Sequence, residues 1–269
     1  MLRHEADALK RVAVCAPREA YFQVADLAAQ NLTALADREL AQAQHGALRE
    51  ALASSGAGVV ALPELPDSPN CIFTQDAALM TPEGFIRLRM GLPARRGEPD
   101  WMAAALLDLG YPEVGAILAQ GTVEGGDVIL AGEVAFVGRS SRTNDAGVRQ
   151  ITALLARMGY EVRVTPVRGP SLHIGGTLSV VGPRQVLACE AAFPEGFFDG
   201  FEVLAIQQAT FISGNVITLG AGVVLVEARN TLAAAVLADA GFVVQPLDLS
   251  EFVKGTGGPS CLILPLERG

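Results

Sequence analysis

The chain has 269 residues, half of them hydrophobic and 18% charged, with 29 glycines and 15 prolines. That composition excludes a disordered or low-complexity protein and leaves room for a large core. A net charge of -9 and a pI of 4.9 exclude the basic footprint needed on a nucleic-acid backbone, and they suit a cationic small substrate.

Mean hydropathy is positive at +0.34. However, the long uncharged stretch between Glu202 and Glu227 contains Gln207, Gln208, Ser213 and Asn215. It therefore reads as two buried strands and not as a membrane span. Met1 to Lys10 carries Glu5 and Asp7 and no apolar core, so no signal peptide and a cytoplasmic location are expected. The four cysteines lack metal or disulfide-framework spacing and read as reduced thiols. With three histidines, a histidine-rich metal site is excluded, and no metal or cofactor is expected.

In chain order, Arg11 to Ala16 reads as a strand, Asp37 to Ala53 as a helix and Val59 to Leu62 as a strand. Strands Asp76 to Met80 and Phe85 to Met90 flank a turn. A helix from about Asp100 to Leu109 follows and ends at Gly110. The pattern returns with strands Asp127 to Leu130 and Val134 to Val137, a helix from Ala146 to Met158 ending at Gly159, and a strand from Glu161. A third copy has strands Thr177 to Val181 and Gln185 to Cys189 and a weak helix around Pro194 to Asp199. The fourth has strands Val216 to Leu219 and Val223 to Glu227 and a helix from Asn230 to Asp239 ending at Gly241. The fifth is split across the termini, with Cys261 to Leu264 supplying its first strand. Glycine after a helix suits a left-handed C-cap. The result is an α/β chain of five ββαβ-like units of roughly 40–50 residues, a period typical of closed or stacked repeat architectures. A circular arrangement closed by the two termini, forming one domain over residues 1–269, fits best.

Polar residues recur near the start of the first strand of each unit: Asp76, Glu124 with Asp127, His173, Asn215 and Cys261. In a closed array those starts converge. Cys261 follows the loop Gly255-Thr256-Gly257-Gly258-Pro259-Ser260, whose backbone amides can favour a thiolate. His173 is followed by Gly175 and Gly176, which leave space beside it, and a Cys/His pair activates a thiol or protonates a leaving group. Glu124 and Asp127 enclose two glycines, and acids leading into apolar strands need partners. Arg95, Arg96 and Arg142 lie in equivalent loops, and guanidinium groups bind carboxylates in bidentate fashion. Cys15 and Cys189 read as small buried hydrophobes, and Cys71 can be read either way.

Taken together, Phe73-Thr74-Gln75-Asp76, Ala94-Arg95-Arg96, Glu124-Gly125-Gly126-Asp127, Gly138-Arg139-Ser140-Ser141-Arg142-Thr143-Asn144, Leu172-His173, Gly214-Asn215-Val216 and Gly257-Gly258-Pro259-Ser260-Cys261 resemble the dimethylarginine dimethylaminohydrolase (dimethylargininase) family. That family sits in the guanidino-group-modifying superfamily with arginine deiminases and amidinotransferases. The resemblance covers about Val12 to Leu266. It implies a five-bladed α/β propeller (the pentein fold) with pseudo-fivefold symmetry. It also implies Cys261 as nucleophile, His173 as general acid/base and Glu124 as the carboxylate that orients it. Asp76 would bind the guanidinium, and Arg95 and Arg142 would hold the substrate carboxylate. Asn70, Phe73, Gln75 and Asp127 complete the expected substrate-binding set. Asn70 and Gln75 stand where typical dimethylargininases carry further acids. Pro69-Asn70 and Phe73-Thr74 look more like an arginine deiminase segment, whereas Gly175 stands where those enzymes carry an additional aspartate.

The implied reaction is C–N hydrolysis of a small guanidino or ureido amino acid through a cysteine thiouronium. Methylated arginine going to citrulline and an amine is the first expectation. An arginine deiminase-like or ureido hydrolase, an amidinotransferase and a non-catalytic binding propeller are the alternatives. No nucleic-acid or membrane partner is expected, and a homodimer is permitted.

Overall fold

The computed structural model describes residues 2–208 and 210–269. It begins with β1 (Leu9–Cys15), α1 (Glu19–Phe22), α2 (Arg38–Ser54) and β2 (Gly58–Leu62). The chain continues with β3 (Ala78–Thr81), β4 (Gly84–Arg87), α3 (Glu98–Asp108) and β5 (Glu113–Ala116). Next come β6 (Val128–Ala131), β7 (Val134–Arg139), α4 (Asp145–Arg157), β8 (Glu161–Pro166), β9 (Leu178–Gly182), β10 (Gln185–Ala188) and β11 (Glu202–Ala205). The last part holds β12 (Val216–Gly220), β13 (Val223–Glu227), α5 (Thr231–Asp239), β14 (Val243–Leu247), α6 (Ser250–Val253) and β15 (Leu264–Arg268).

These strands form five three-stranded sheets: β15-β1-β2, β3-β4-β5, β6-β7-β8, β9-β10-β11 and β12-β13-β14. Each has an antiparallel pair and a parallel third strand. This follows from the sequence pattern, because a short turn joins antiparallel strands whereas a helical crossover returns the chain parallel. β3, β6, β9 and β12 are buried at every residue, as expected for strands packed on both faces. Neighbouring sheets meet through β15 and β3, β6 and β9, and β9 and β12. Among the described residues no helix is long and apolar enough to cross a membrane.

Two expectations change. Pro194 to Asp199 forms turns and no helix. Gly196 within it and Gly200 just after it stand at φ +76° and +85°, outside the right-handed helical region. In place of a helix, Phe193, Phe197, Phe198 and Phe201 cluster, the last three against Phe136. In addition, the expected strand starts are short 3-10 turns at Thr74–Asp76, Gly125–Asp127, Ile174–Gly176 and Ser260–Leu262. Cys261 therefore lies in a turn, with its N–H donating to the Gly258 carbonyl at 3.2 Å, and the strand begins only at Leu264. These turns pack against one another, so the polar residues meet as the equivalent positions suggest.

Candidate active site

Asp76, His173 and Cys261 line one pocket, with Glu124 buried behind His173. Each is delivered by one of the 3-10 turns or by the residue that enters it. A turn aims a side chain inward without committing its backbone to a sheet.

The His173 Nε2 and Glu124 Oε2 atoms are 2.8 Å apart. Glu124 Oε1 accepts from the Gly91 and Leu92 amides at 3.0 and 3.2 Å, and Arg142 Nη1 approaches it at 3.5 Å. Burial alone would raise the Glu124 carboxyl. The hydrogen bond and charge of His173, with Arg95 and Arg142 nearby, outweigh burial and hold it well below the usual range. Burial likewise opposes the His173 imidazolium, yet Asp76, Asp127 and Glu124 together raise its pKa to about 9. Gly126 is essential to this packing. Its N–H donates to Asp76 Oδ1 at 3.0 Å, and a Cβ there would sit 2.8 Å from His173 Nδ1.

Cys261 is pushed up to about 11, first by burial and then by Asp76. The Gly258 hydrogen bond and Asn215, whose Nδ2 lies 3.7 Å from Sγ, pull the other way. Burial and Asp76 therefore favour the thiol, and a neighbouring cation would favour the thiolate. The other three cysteines are buried. Cys15 and Cys71 lie with their sulfurs 3.8 Å apart, which settles Cys71 as a packed core thiol.

The Arg95 guanidinium is 5% exposed and engaged by the protein. Nη1 donates to Asp76 Oδ2 at 2.6 Å, Nε and Nη2 to Glu98, and Nη2 also to the Asn70 and Phe73 carbonyls. It was expected to hold the substrate carboxylate; it does line the pocket, and its donors also lock Asp76 and the Asn70–Phe73 turn. Arg142 keeps its fork far less occupied, its side-chain contact being the 3.5 Å approach to Glu124. Two expectations need correction. Asp127 is fully buried and does not line the pocket. It accepts from the Ile174 N–H at 3.0 Å and the Ser140 hydroxyl at 2.5 Å, tying the His173 turn to the Arg142 loop. Gln75 accepts from Ser260 at 3.3 Å and lines a separate pocket with Leu79, Ile217 and Leu264. Asn70 and Phe73 do line the pocket, whereas exposed Arg96 does not.

The sequence reading missed Glu98, with its partner Ser68 at 3.1 Å, and the mouth residues Gln30, Asn31, Leu92, Leu172 and Thr256. An acid in the first turn of a helix looks like an ordinary favourable surface charge, so nothing marked Glu98. Asn31 and Thr256 carry one available signal, the glycine loop around position 256. They adopt φ +57° and +60° and join across the mouth by a 2.8 Å hydrogen bond. Strain of this kind, about 1–3 kcal/mol for a non-glycine residue, clusters at functional sites.

Asp76, Glu124 and His173 bring ligand-capable atoms within 4.8 Å of one another. Those atoms are already paired with each other, with Arg95 and with Gly126. Two arginines alongside further disfavour a divalent cation at this point.

The arginine deiminase family model matches residues 18–167 and 200–268. The chain is 30% identical to an N(G),N(G)-dimethylarginine dimethylaminohydrolase of Streptomyces coelicolor over 86% of this chain and 88% of that one. It is 29% identical to the enzyme of the same name from Pseudomonas aeruginosa over 82% and 86%. It is also similar to the structure of a Pseudomonas aeruginosa dimethylarginine dimethylaminohydrolase, a cysteine-to-serine variant complexed with citrulline. The TM-score is 0.83 and the identity 27%, covering 96% of this chain and 99% of that one.

Proposed function

The chain belongs to the dimethylarginine dimethylaminohydrolase family of the amidinotransferase superfamily and is an amidine hydrolase, and from that premise we propose that Cys261 cleaves a guanidino C–N bond by covalent catalysis. The convergence of Cys261, His173 and Asp76 on one pocket, with Glu124 on His173, carries this reading.

The substrate guanidinium enters against Asp76, and its charge favours the Cys261 thiolate. The thiolate attacks the guanidino carbon and forms a C–S bond. As the C–N bond breaks, His173 gives its proton to the leaving amine. Water then attacks the thiouronium and passes a proton to neutral His173, and the C–S bond breaks. A ureido product and the thiolate remain. Glu124 keeps His173 protonated and oriented in the first half. Arg142 holds the carboxylate, while Arg95 positions Asp76. Methylated arginine is the reference substrate. On the same reading the five sheets are the blades of a five-bladed propeller, a single domain over residues 1–269 acting in the cytoplasm.

A haloacetamidine tests the nucleophile, because its amidinium docks where the guanidinium would. The expected result is a single adduct on Cys261, absent from Cys261→Ser. Labelling of no cysteine, or equal labelling of the variant, overturns the reading.

A further inference from the structure

The unit built on β12, β13 and β14 contributes one residue to the recurring polar set, Asn215, which takes no part in the reaction steps proposed for Cys261 and His173. It stands directly before β12 and is 2% exposed. Its side chain joins the three turns that deliver the nucleophile, the imidazole and the guanidinium-binding carboxylate. Oδ1 accepts from the Ser260 N–H at 3.0 Å, inside the Cys261 turn. Nδ2 donates to the Gly175 carbonyl at 3.0 Å, inside the turn that follows His173. Nδ2 also donates to the Ser260 hydroxyl at 2.8 Å, and that hydroxyl donates onward to Gln75 Oε1 at 3.3 Å, beside Asp76. A backbone N–H only donates and a carbonyl only accepts, so these contacts fix which way the amide faces. Gly258 makes the approach possible, because a Cβ there would lie 2.4 Å from Asn215 Oδ1.

The same amide reaches the nucleophile. Nδ2 carries two hydrogens, and the Gly175 carbonyl takes one. The other lies between Ser260 Oγ at 2.8 Å and Cys261 Sγ at 3.7 Å. Beside a neutral thiol the hydroxyl is the better acceptor. A thiolate reverses that order, since a hydrogen bond to an ionised acceptor is about twice as strong as one between neutral groups.

We propose that Asn215 is a positioning residue for the hydrolysis: it locks the Cys261 turn onto the His173 and Asp76 turns and supplies one N–H to the sulfur as the thiolate forms. This rests on the covalent reading of the reaction and deepens it, giving the thiolate a protein partner that is in place before substrate binds.

The test compares wild type with Asn215→Asp, which keeps the shape and the Oδ1 acceptor, and Asn215→Ala; two variants guard against a loss of fold in either. Alkylation of Cys261 by iodoacetamide at about pH 8, mapped by peptide mass spectrometry, reads the thiolate without needing turnover. Steady-state kinetics on Nω,Nω-dimethylarginine, arginine, agmatine and citrulline run alongside. Both variants are expected to alkylate at least about 3-fold more slowly, because the lost thiolate is only partly offset by a more nucleophilic sulfur. A residue that merely held the turn closed would give the opposite sign, since a loosened turn exposes the sulfur and speeds alkylation. For the best substrate, kcat is expected to fall at least about 10-fold with KM within about 3-fold of wild type, because Asp76 and Arg142 still bind it.

Unchanged or faster alkylation in the folded variants, a kcat at the wild-type level, or a change in KM alone overturns the proposal while Cys261-dependent turnover stands. If wild type turns over none of the panel yet alkylation slows in both variants, the role of Asn215 holds and the hydrolase reading fails. If there is no turnover and alkylation is unchanged, both fall.

Discussion

Cys261 and His173 face each other's chemistry in an unusual protonation balance. Attack needs a thiolate and departure needs an imidazolium, yet burial and the surrounding carboxylates put the thiol at about 11 and the imidazolium at about 9. The reactive pair is thus a minor form of the free enzyme. Its population rises with pH until His173 begins to lose its proton, stays flat between the two values, and falls once the thiol has ionised. The kcat/KM profile is expected to climb through neutrality to a broad maximum between about 9 and 11. Bound guanidinium favours the thiolate, so the rising limb of kcat should lie at lower pH than that of kcat/KM. A profile measured under both conditions checks this, and an optimum near pH 5 contradicts it. The same attention to charge explains Arg95. Its buried partners Glu98 and Asp76 keep it protonated and held in place at the pocket wall.

At the level of elements, the four helices that follow hairpins, or their split counterpart at the termini, differ in how they are held. Asn144 caps α4 by accepting from the Gly147 amide at 2.8 Å, and it also accepts from Thr122 at 3.1 Å. Asn144→Ala is expected to cost about 1–2 kcal/mol, near the upper end for a cap because the Thr122 contact is lost too. Where the β9-β10-β11 sheet lacks a helix, the phenylalanine cluster takes over its packing. Phe197→Ala is therefore expected to cost about 3–5 kcal/mol, as for an aromatic removed from a core. Urea melts of both variants measure these losses, and a Phe197→Ala loss below that of Asn144→Ala would contradict the assigned role. The periodic strands, the helices ending in glycine and the recurring polar positions made the sheet pattern and Asp76, Glu124, His173 and Cys261 legible in the sequence. Side-chain direction inside a three-residue turn was not legible. Asp127 and Gln75 lie beside the reacting residues in sequence and point away from the pocket, because one step along a turn changes the face a residue presents. The mouth residues Gln30 and Asn31 come from a segment with no periodicity, so spacing carries no information about them.

At the scale of the whole molecule, the first and last strands pair with each other. β15 pairs antiparallel with β1, and Arg268 donates from Nη1 to the Asp7 and Thr218 carbonyls at 2.7 Å each. The 3-10 turns from distant parts of the chain pack against one another, which is why a thiol, an imidazole and two carboxylates far apart in sequence become one site. The site also shows why the overall charge of -9 is a poor guide to recognition, since the outer pocket is neutral apart from arginine. The central claim is that Cys261 becomes covalently attached to the amidine carbon. Intact-protein mass spectrometry on His173→Gly tests it, with an S-methylisothiourea analogue whose methanethiol leaves readily and which then awaits a water that no imidazole activates. The account predicts a gain equal to the analogue minus methanethiol, mapped to the Cys261 peptide and absent when Cys261 is also changed to Ser. Turnover by Cys261→Ser, or a wild-type enzyme that turns over while neither protein ever gains mass at Cys261, would contradict it.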